Sequence, residues 1–366
     1  MLEAFLILSC LIYALEYSAL YVGLRRSHRI PRRAPDVPPR ITIMVAARNE
    51  ERNIERCVKM LLEQQYPPEL TEIIIVDDES EDATARHLAR LAAAHPGRLT
   101  VLRTHTEESQ ARGKARAIAQ GMDRASGEII LLTDADCAPP VTWARGVVEH
   151  FLPGVDVVGG FTVIEGHDLF SVTQQLDWIH LQTLGSSALA LGFPVGVIGN
   201  NLAFRRAAYE AVGGYRSVAF SVTEDFALFR AMTGNGHGAI FPCSRDTRMF
   251  SLPCESLTQV LRQKQRWSRG GMENTVPGYT IFIVAFLGLM AFTLAPFVST
   301  TAWIIVWAIK FGFDLMMMFP NMRRLGLGRQ LRYFLLFEFY FVAQALVTPI
   351  FLMNKTVVWK GRAYRS

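Results

Sequence analysis

The chain has 366 residues, half of them hydrophobic and 19% charged, with a formal net charge of +5. Such a length holds one large domain or two ordinary ones, and an apolar excess beside charged central segments implies a water-facing domain joined to membrane helices. The arginines flank apolar runs instead of forming a stripe interleaved with aromatics, which argues against a nucleic-acid partner. Five cysteines without C-x-x-C spacing argue against a disulfide framework and a zinc site.

Residues 1–24 are apolar apart from Glu3 and Glu16, and Arg25, Arg26, Arg29, Arg32 and Arg33 follow them. A cleaved signal carries its positive charge first; here it comes after, which predicts an uncleaved anchor whose C-terminal end faces the cytosol. Residues 25–39 form a basic, proline-rich linker. Residues 40–275 form the water-facing domain, and from residue 40 to about 125 short apolar runs alternate with amphipathic stretches. "ITIMVAA", "EIIIVDD", "LTVLR" and "GEIILLTDAD" are predicted strands; "EERNIERCVKMLLEQQ", "EDATARHLARLAAAH" and "ARAIAQGMDRA" are predicted helices. Alternation of this kind gives βαβ units and a mostly parallel sheet, whose ligands bind at the carboxyl ends of the strands. The apolar, aromatic stretch 168–194, broken by Asp177, His180 and Gln182, fits an interface helix or ordinary core equally well.

Residues 276–354 hold two to three apolar helices long enough to cross a bilayer, with Lys310 and Asp314 spaced to pair inside one of them. Three crossings would carry the basic tail, residues 355–366, to the outside, against its charge. One segment is then re-entrant or interfacial, and Glu338, Gln344 and Pro349 mark the last one as the candidate.

Within the central region five constellations carry chemistry. Asp134 and Asp136 close a predicted strand two residues apart, on one face, and paired hard oxygens there suit Mg²⁺ or Mn²⁺ shared with a substrate phosphate. Asp77 and Asp78 close another strand; helix capping accounts for one of them, and an acceptor for a nucleotide base or ribose accounts for the other. Gly113 and Lys114 open a helix, where dipole and ammonium favour a phosphate, although the P-loop pattern is absent. Thr223, Glu224 and Asp225 precede a helical pattern, as an N-cap or with Asp225 as a general base. Gln263, Arg266 and Trp267 stand at i, i+3 and i+4 of a helix that can rest on a membrane or clamp a diphosphate.

In order, "VAARNEE", "VDDES", "GKA", "DAD", "GNNLAFRR", "TED" and "QKQRW" resemble the membrane-attached family 2 glycosyltransferases, over about residues 41 to 270. The resemblance implies a GT-A catalytic fold with N- and C-terminal transmembrane helices, and a nucleotide-sugar donor of the UDP class. It also implies that Asp78 meets the donor base, with Ala47 and Glu50 in the adjoining loop, and that Lys114 reaches the diphosphate. Asp134 would face the ribose or sugar, Asp136 would bind the Mg²⁺ or Mn²⁺, and Asp225 would be the catalytic base. Gln263, Arg266 and Trp267 would close the site, and transfer would proceed with inversion. "GNNLAFRR" stands where polymerising members carry a cysteine-containing F-x-G-T motif, and about four apolar segments are few for a polysaccharide channel. Both departures favour one-sugar transfer to a membrane lipid, at the cytosolic face of a multi-pass protein. A processive synthase, a nucleotidyltransferase and a non-catalytic scaffold of the same fold are the alternatives.

Overall fold

The computed structural model describes residues 1–353, 356–359 and 362–365. Helix α1 (Leu2–Ser27) leads into β1 (Ile41–Ala47), α2 (Ile54–Leu62), β2 (Thr71–Asp77), α3 (Thr84–Ala94), β3 (Leu99–Arg103), α4 (Lys114–Met122) and β4 (Ile129–Asp134). The four strands are parallel, with β1 between β2 and β4. Their register sets Ala47 beside Asp77 and Ala46 beside Asp134, so the carboxyl ends finish level. Alternate side chains enter different layers. Ile43, Val45, Ile73, Ile75 and Leu131 pack with α2, while Met44, Ile74, Val76, Ile130 and Leu132 pack with α4. Burial on both faces is why these strands are continuous apolar runs in the sequence.

The chain continues through β5 (Cys137–Ala138), α5 (Trp143–Val148), β6 (Val157–Gly159), β7 (Thr162–Ile164), α6 (Leu169–Ala190), β8 (Leu202–Arg205), α7 (Arg206–Ala211) and α8 (Gly214–Ser217). Then come α9 (Glu224–Gly234), β9 (Ala239–Ile240), β10 (Met249–Ser251) and α10 (Leu257–Gly271). The main sheet has the order β3-β2-β1-β4-β8-β6-β9, and β5-β10-β7 form a small second sheet. The architecture is the expected α/β one, mostly parallel, with antiparallel β8 beside β4.

Helices α11 (Val276–Leu294), α12 (Thr300–Arg324) and α13 (Phe334–Met353) follow, with β11 (Thr356–Trp359) and β12 (Arg362–Arg365) as a terminal hairpin. Among the described residues, three helices are long and apolar enough to cross a membrane: Leu2–Ser27, Val276–Phe297 and Thr300–Arg324. Both ends of α13 lie against the central region. Phe334 packs in one cluster with Phe161 and Val163, and Gln265 of α10 donates to the Thr356 carbonyl at 3.2 Å. Of the basic tail, Lys355 and Lys360 lie outside the described residues, as does the side chain of Pro349.

Helix α6, which fits either interface or core in the sequence, is core on nearly every side from Ser171 to Ala188. A Cβ on Gly23 of α1 would stand 2.1 Å from the Ser187 carbonyl oxygen, so α1 and α6 touch backbone to backbone. Asn321 of α12 donates to Thr183 at 2.9 Å, and Gln182 bonds both the N–H and the carbonyl of Thr162 on β7. Lys310 and Asp314 pair as their spacing predicts, and Glu338 of α13 joins the same ammonium; all three are at most 2% exposed. Tyr13 of α1 donates to Asp314, and His180 of α6 stands 3.5 Å from the same carboxylate.

Candidate active site

The loops leaving β1 and β2 form one rigid shelf. Asn49 and Glu79 are the non-glycine residues with positive φ, at 54° and 57°, among the described residues. Residues in that region cost free energy and persist where surrounding contacts over-determine them. Here those contacts run between the loops. The Asn49 N–H donates to Ser80 Oγ at 3.1 Å, and the Glu81 N–H donates to Asn49 Oδ1 at 2.9 Å. Arg48 donates to the carbonyls of Asp78 and Glu79 at 2.7 and 2.8 Å and pairs with Glu81 at 2.9 Å. Glu50, buried, takes Thr84 Oγ1 on its N–H and Asn53 on its carboxylate.

The adjacent Asp77 and Asp78 have different jobs. Asp77 accepts the Ser80 N–H at 3.1 Å and so shapes the loop. Asp78, 2% exposed, accepts from Arg116 at 2.9 Å and from Thr104 at 3.2 Å, while its N–H bonds the Ala47 carbonyl at 2.8 Å. The methyl of Ala47 lies in the core. Neither aspartate caps α3, whose N-cap Ala83 makes no side-chain bond; Asp82, one residue earlier, accepts the Thr84 N–H at 2.9 Å.

Lys114 is the first residue of α4, after Gly113 at φ 54°. Its ammonium lies 2.5 Å from Asp134 Oδ1 and 3.5 Å from Glu224 Oε1. Burial on its own would lower the affinity of that amine for its proton. Asp134, Glu224 and Asp225 outweigh burial and hold it charged well above the ordinary lysine range. Burial also pushes the Glu224 carboxyl up, against the nearby Lys114 and Arg266 charges and with the help of Asp225. Asp225 accepts the Gly199 N–H at 2.5 Å and the Phe226 N–H at 2.9 Å. Thr223 makes no side-chain cap bond, so α9 starts without the N-cap that its sequence suggests.

One geometric premise is corrected. Asp134 ends β4, but Ala135 and Asp136 form a tight turn into β5, which pairs with β10 in the second sheet. Strand alternation therefore does not relate the two carboxylates; the change of sheet does. Asp136 accepts from Cys137 Sγ at 3.4 Å, and the charges of Asp136, Asp134 and Glu50 all act on the buried Cys57 thiol, whose pKa burial and those charges raise. Among the described residues no group of three or more His, Cys, Asp or Glu side chains is disposed to hold an ion. Oxygen donors from one or two carboxylates, with the rest of the shell left to phosphate and water, are what Mg²⁺ or Mn²⁺ takes in nucleotide sites, and Asp136 with Asp134 fits that donor set.

Ser256 caps α10, which carries Gln263, Arg266 and Trp267 as the spacing predicts. Arg266 acts electrostatically on Glu224 and on Cys254, and Cys254 also feels Asp136. The helix closes against the Asp225 segment, since a Cβ on Gly270 would stand 2.1 Å from Thr223 Oγ1. The structure thus gathers Lys114, Asp134, Glu224, Asp225 and Arg266 around one space, with Asp78 and Glu50 on the shelf beside it. Trp267 meets Trp178 edge-on at 4.9 Å, and Gln263 is half-buried one turn earlier. Sequence reasoning gave no chemical role to Arg48, Arg116, Glu224 or Gly199. Arg48, Glu224 and Gly199 lay inside quoted motifs, and Arg116 is two residues beyond Lys114.

A glycosyltransferase AglE of Haloferax volcanii is 32% identical over 123 residues, 33% of this chain and 39% of that protein. A beta-monoglucosyldiacylglycerol synthase of Nostoc is 27% identical over 281 residues, 72% of this chain and 57% of its own. The chain thus spans about half the length of the curated relatives it matches. Among solved structures, the mannosyltransferase PcManGT of Pyrobaculum calidifontis, in complex with GDP-Man and Mn2+, superposes with a TM-score of 0.62 at 22% identity, covering 96% of this chain and 98% of that one. The model for glycosyltransferase-like family 2 matches residues 38–270. The chain belongs to that family, and its mostly parallel sheet with antiparallel β8 is the GT-A arrangement.

Proposed function

We propose that the protein transfers a sugar from a nucleoside-diphosphate sugar, of the UDP class, to a hydroxyl of a membrane lipid, with inversion. The observation that carries this is the meeting of Lys114, Asp134, Glu224, Asp225 and Arg266 at the carboxyl end of the sheet, directly beside a bundle of apolar helices. Lys114 and Arg266 supply fixed positive charge where the leaving diphosphate gains negative charge. Asp225, pinned by the Gly199 N–H, takes the proton of the attacking hydroxyl as the bond to the anomeric carbon forms. With one base and a single displacement, configuration inverts. Asp78 and the β1–β2 shelf, with Ala47 and Glu50, hold the nucleoside. Gln263 and Trp267 close α10 over the acceptor side. Asp136, with Asp134 beside it, would hold the Mg²⁺ or Mn²⁺, which supplies further neutralisation of the diphosphate.

The domain division follows the same proposal: an anchor at 1–24, a linker at 25–39, a catalytic unit at 40–275 and a membrane region at 276–354. The exposed Arg25, Arg26 and Arg29 share one end of the bundle with Arg323, Arg324, Arg329 and Arg332, because Arg324 donates to the His28 carbonyl at 3.2 Å. That shared basic end supports a cytosolic catalytic unit. Both ends of α13 lie against the central region, which supports an interfacial or re-entrant last segment and a basic tail on the same side. A lipid acceptor is supported by the likeness to glucosyldiacylglycerol synthases and by the apolar helices at the site.

The test is to incubate the purified full chain with labelled nucleotide sugars, a divalent salt and total membrane lipid. A single hexose mass gained by a hydroxylated lipid, lost with Asp225→Asn, is the expected result. A ladder of products would mean processive synthesis, and no turnover of any nucleotide sugar would mean a scaffold.

A further inference from the structure

Lys264 sits inside the Gln263–Arg266–Trp267 segment, two residues from Arg266, and a cation there invites assignment to the diphosphate. Its surroundings say otherwise. It is 4% exposed, and its ammonium is paired with Asp177 of α6, itself 3% exposed. Helix α10 buries only Val260, Lys264 and Gly270, so this charged side chain is one of its three anchors. On α6, Gln174, Asp177 and Trp178 are spaced i, i+3 and i+4, on one face, and all three meet α10 or its approach. Gln174 bonds Cys254 twice, accepting from its N–H at 2.9 Å and donating to its carbonyl at 3.1 Å. The Lys264 ammonium lies 4.6 Å over the Trp267 ring, and Trp178 meets that ring edge-on at 4.9 Å.

We propose that the Asp177–Lys264 pair, with Trp178, is a positioning device that sets Trp267 of α10 for sugar transfer, and that Lys264 is no ligand of the donor. The role rests on the glycosyltransferase function proposed above. A buried ion pair is weak evidence for stability, because desolvation offsets its Coulomb energy, but its partners fit in one arrangement only. Here the arrangement fixes the cation over the face of an indole whose edge a second indole already holds, and cation–π contacts gain strength when desolvated. Helix α6 also carries His180 and Thr183 against the membrane helices, so α10 takes its position from the same helix that the bundle grips.

The test uses the full chain in detergent with total membrane lipid as the acceptor. Asp177→Asn and Lys264→Met should each lower transfer about 100-fold, the scale of a displaced positioning group, with nucleotide-diphosphate affinity unchanged by calorimetry. The double variant should be no worse than the poorer single one, since both remove the same contact. Lys264→Arg, which restores the charge, should recover most of the rate. Trp178→Phe leaves the ion pair intact, so it decides the matter if the neutral variants do not fold; it should raise the acceptor KM and leave the donor KM alone. Weaker nucleotide binding in Lys264→Met would make the lysine a donor ligand and overturn the proposal. Wild-type KM and kcat in Trp178→Phe would overturn it as well. A wild type that turns over no nucleotide sugar overturns the function and this role together, whereas an active wild type with unaffected variants overturns only the role.

Discussion

Glu224 and Asp225 are neighbours in sequence with unlike surroundings. Asp225 is held by two backbone N–H groups, which aim its carboxylate. Asp225→Asn keeps the side chain's size and one of the two bonds, since an amide offers a single acceptor oxygen, and should lower transfer by at least about 100-fold while sparing donor affinity, measured by initial rates beside nucleotide calorimetry. Glu224 is buried between Lys114 and Arg266 with its carboxyl raised above the ordinary value of 4.5. A raised folded-state value means that its contribution to stability is fully present below 4.5 and is lost as pH rises through the folded value. Glu224→Gln should therefore gain stability relative to the wild type as pH rises from 4.5, which melting curves across that window would show. A constant difference at every pH would contradict it. The acidic identity of these residues was legible from the sequence. Their division of labour was not, because it depends on Gly199 and Lys114, which the chain brings back from distant positions.

At the scale of elements, the four parallel strands and the helices between them followed from apolar run length and period, since burial on both faces leaves a plain signature. The D-x-D geometry did not follow. A strand that ends and re-enters a second sheet within two residues reads in sequence like one longer strand, and only the pairing of β5 with β10 separates them. Helix α6 was ambiguous for a related reason: a helix covered by the sheet on one side and by α1, α12 and α13 on the others has no exposed face to betray its period. The short helix at residues 199–201 offers a test of how tightly the base is held. A Cβ on Gly199 would stand 2.5 Å from the Asp225 Cβ. Gly199→Ala should thus cost activity on the scale of Asp225→Asn, with a small change in melting temperature; near-normal turnover would show that the base is set by something else.

Across the whole molecule, the buried group of Lys310, Asp314 and Glu338 ties α12 to α13, with Tyr13 and His180 adding α1 and α6. Lys310→Met leaves two carboxylates without their cation and should destabilise the bundle by about 3–5 kcal/mol, read as a lowered melting temperature in detergent. Replacing Lys310, Asp314 and Glu338 together by apolar residues should cost far less. The placement of α13 gives a topological prediction: in sealed vesicles, a protease site added after Ser366 should be cut from the side that also exposes the catalytic unit. Cutting from the opposite side would make α13 a full crossing.

The backbone contact between Gly23 and Ser187 has a practical consequence. Helix α6 belongs by chain order to the catalytic unit and by packing to the bundle, so no scalpel line separates a water-soluble enzyme from its anchor. A truncation spanning residues 40–275 would uncover the sides of α6 that α1, α12 and α13 cover between Ser171 and Ala188 and should precipitate. A chimaera that borrows a relative's membrane helices must borrow α6 with them, and with α6 comes the seat of α10. Changing the helices that pack on α6 and changing the seat of α10 are, in this chain, the same operation.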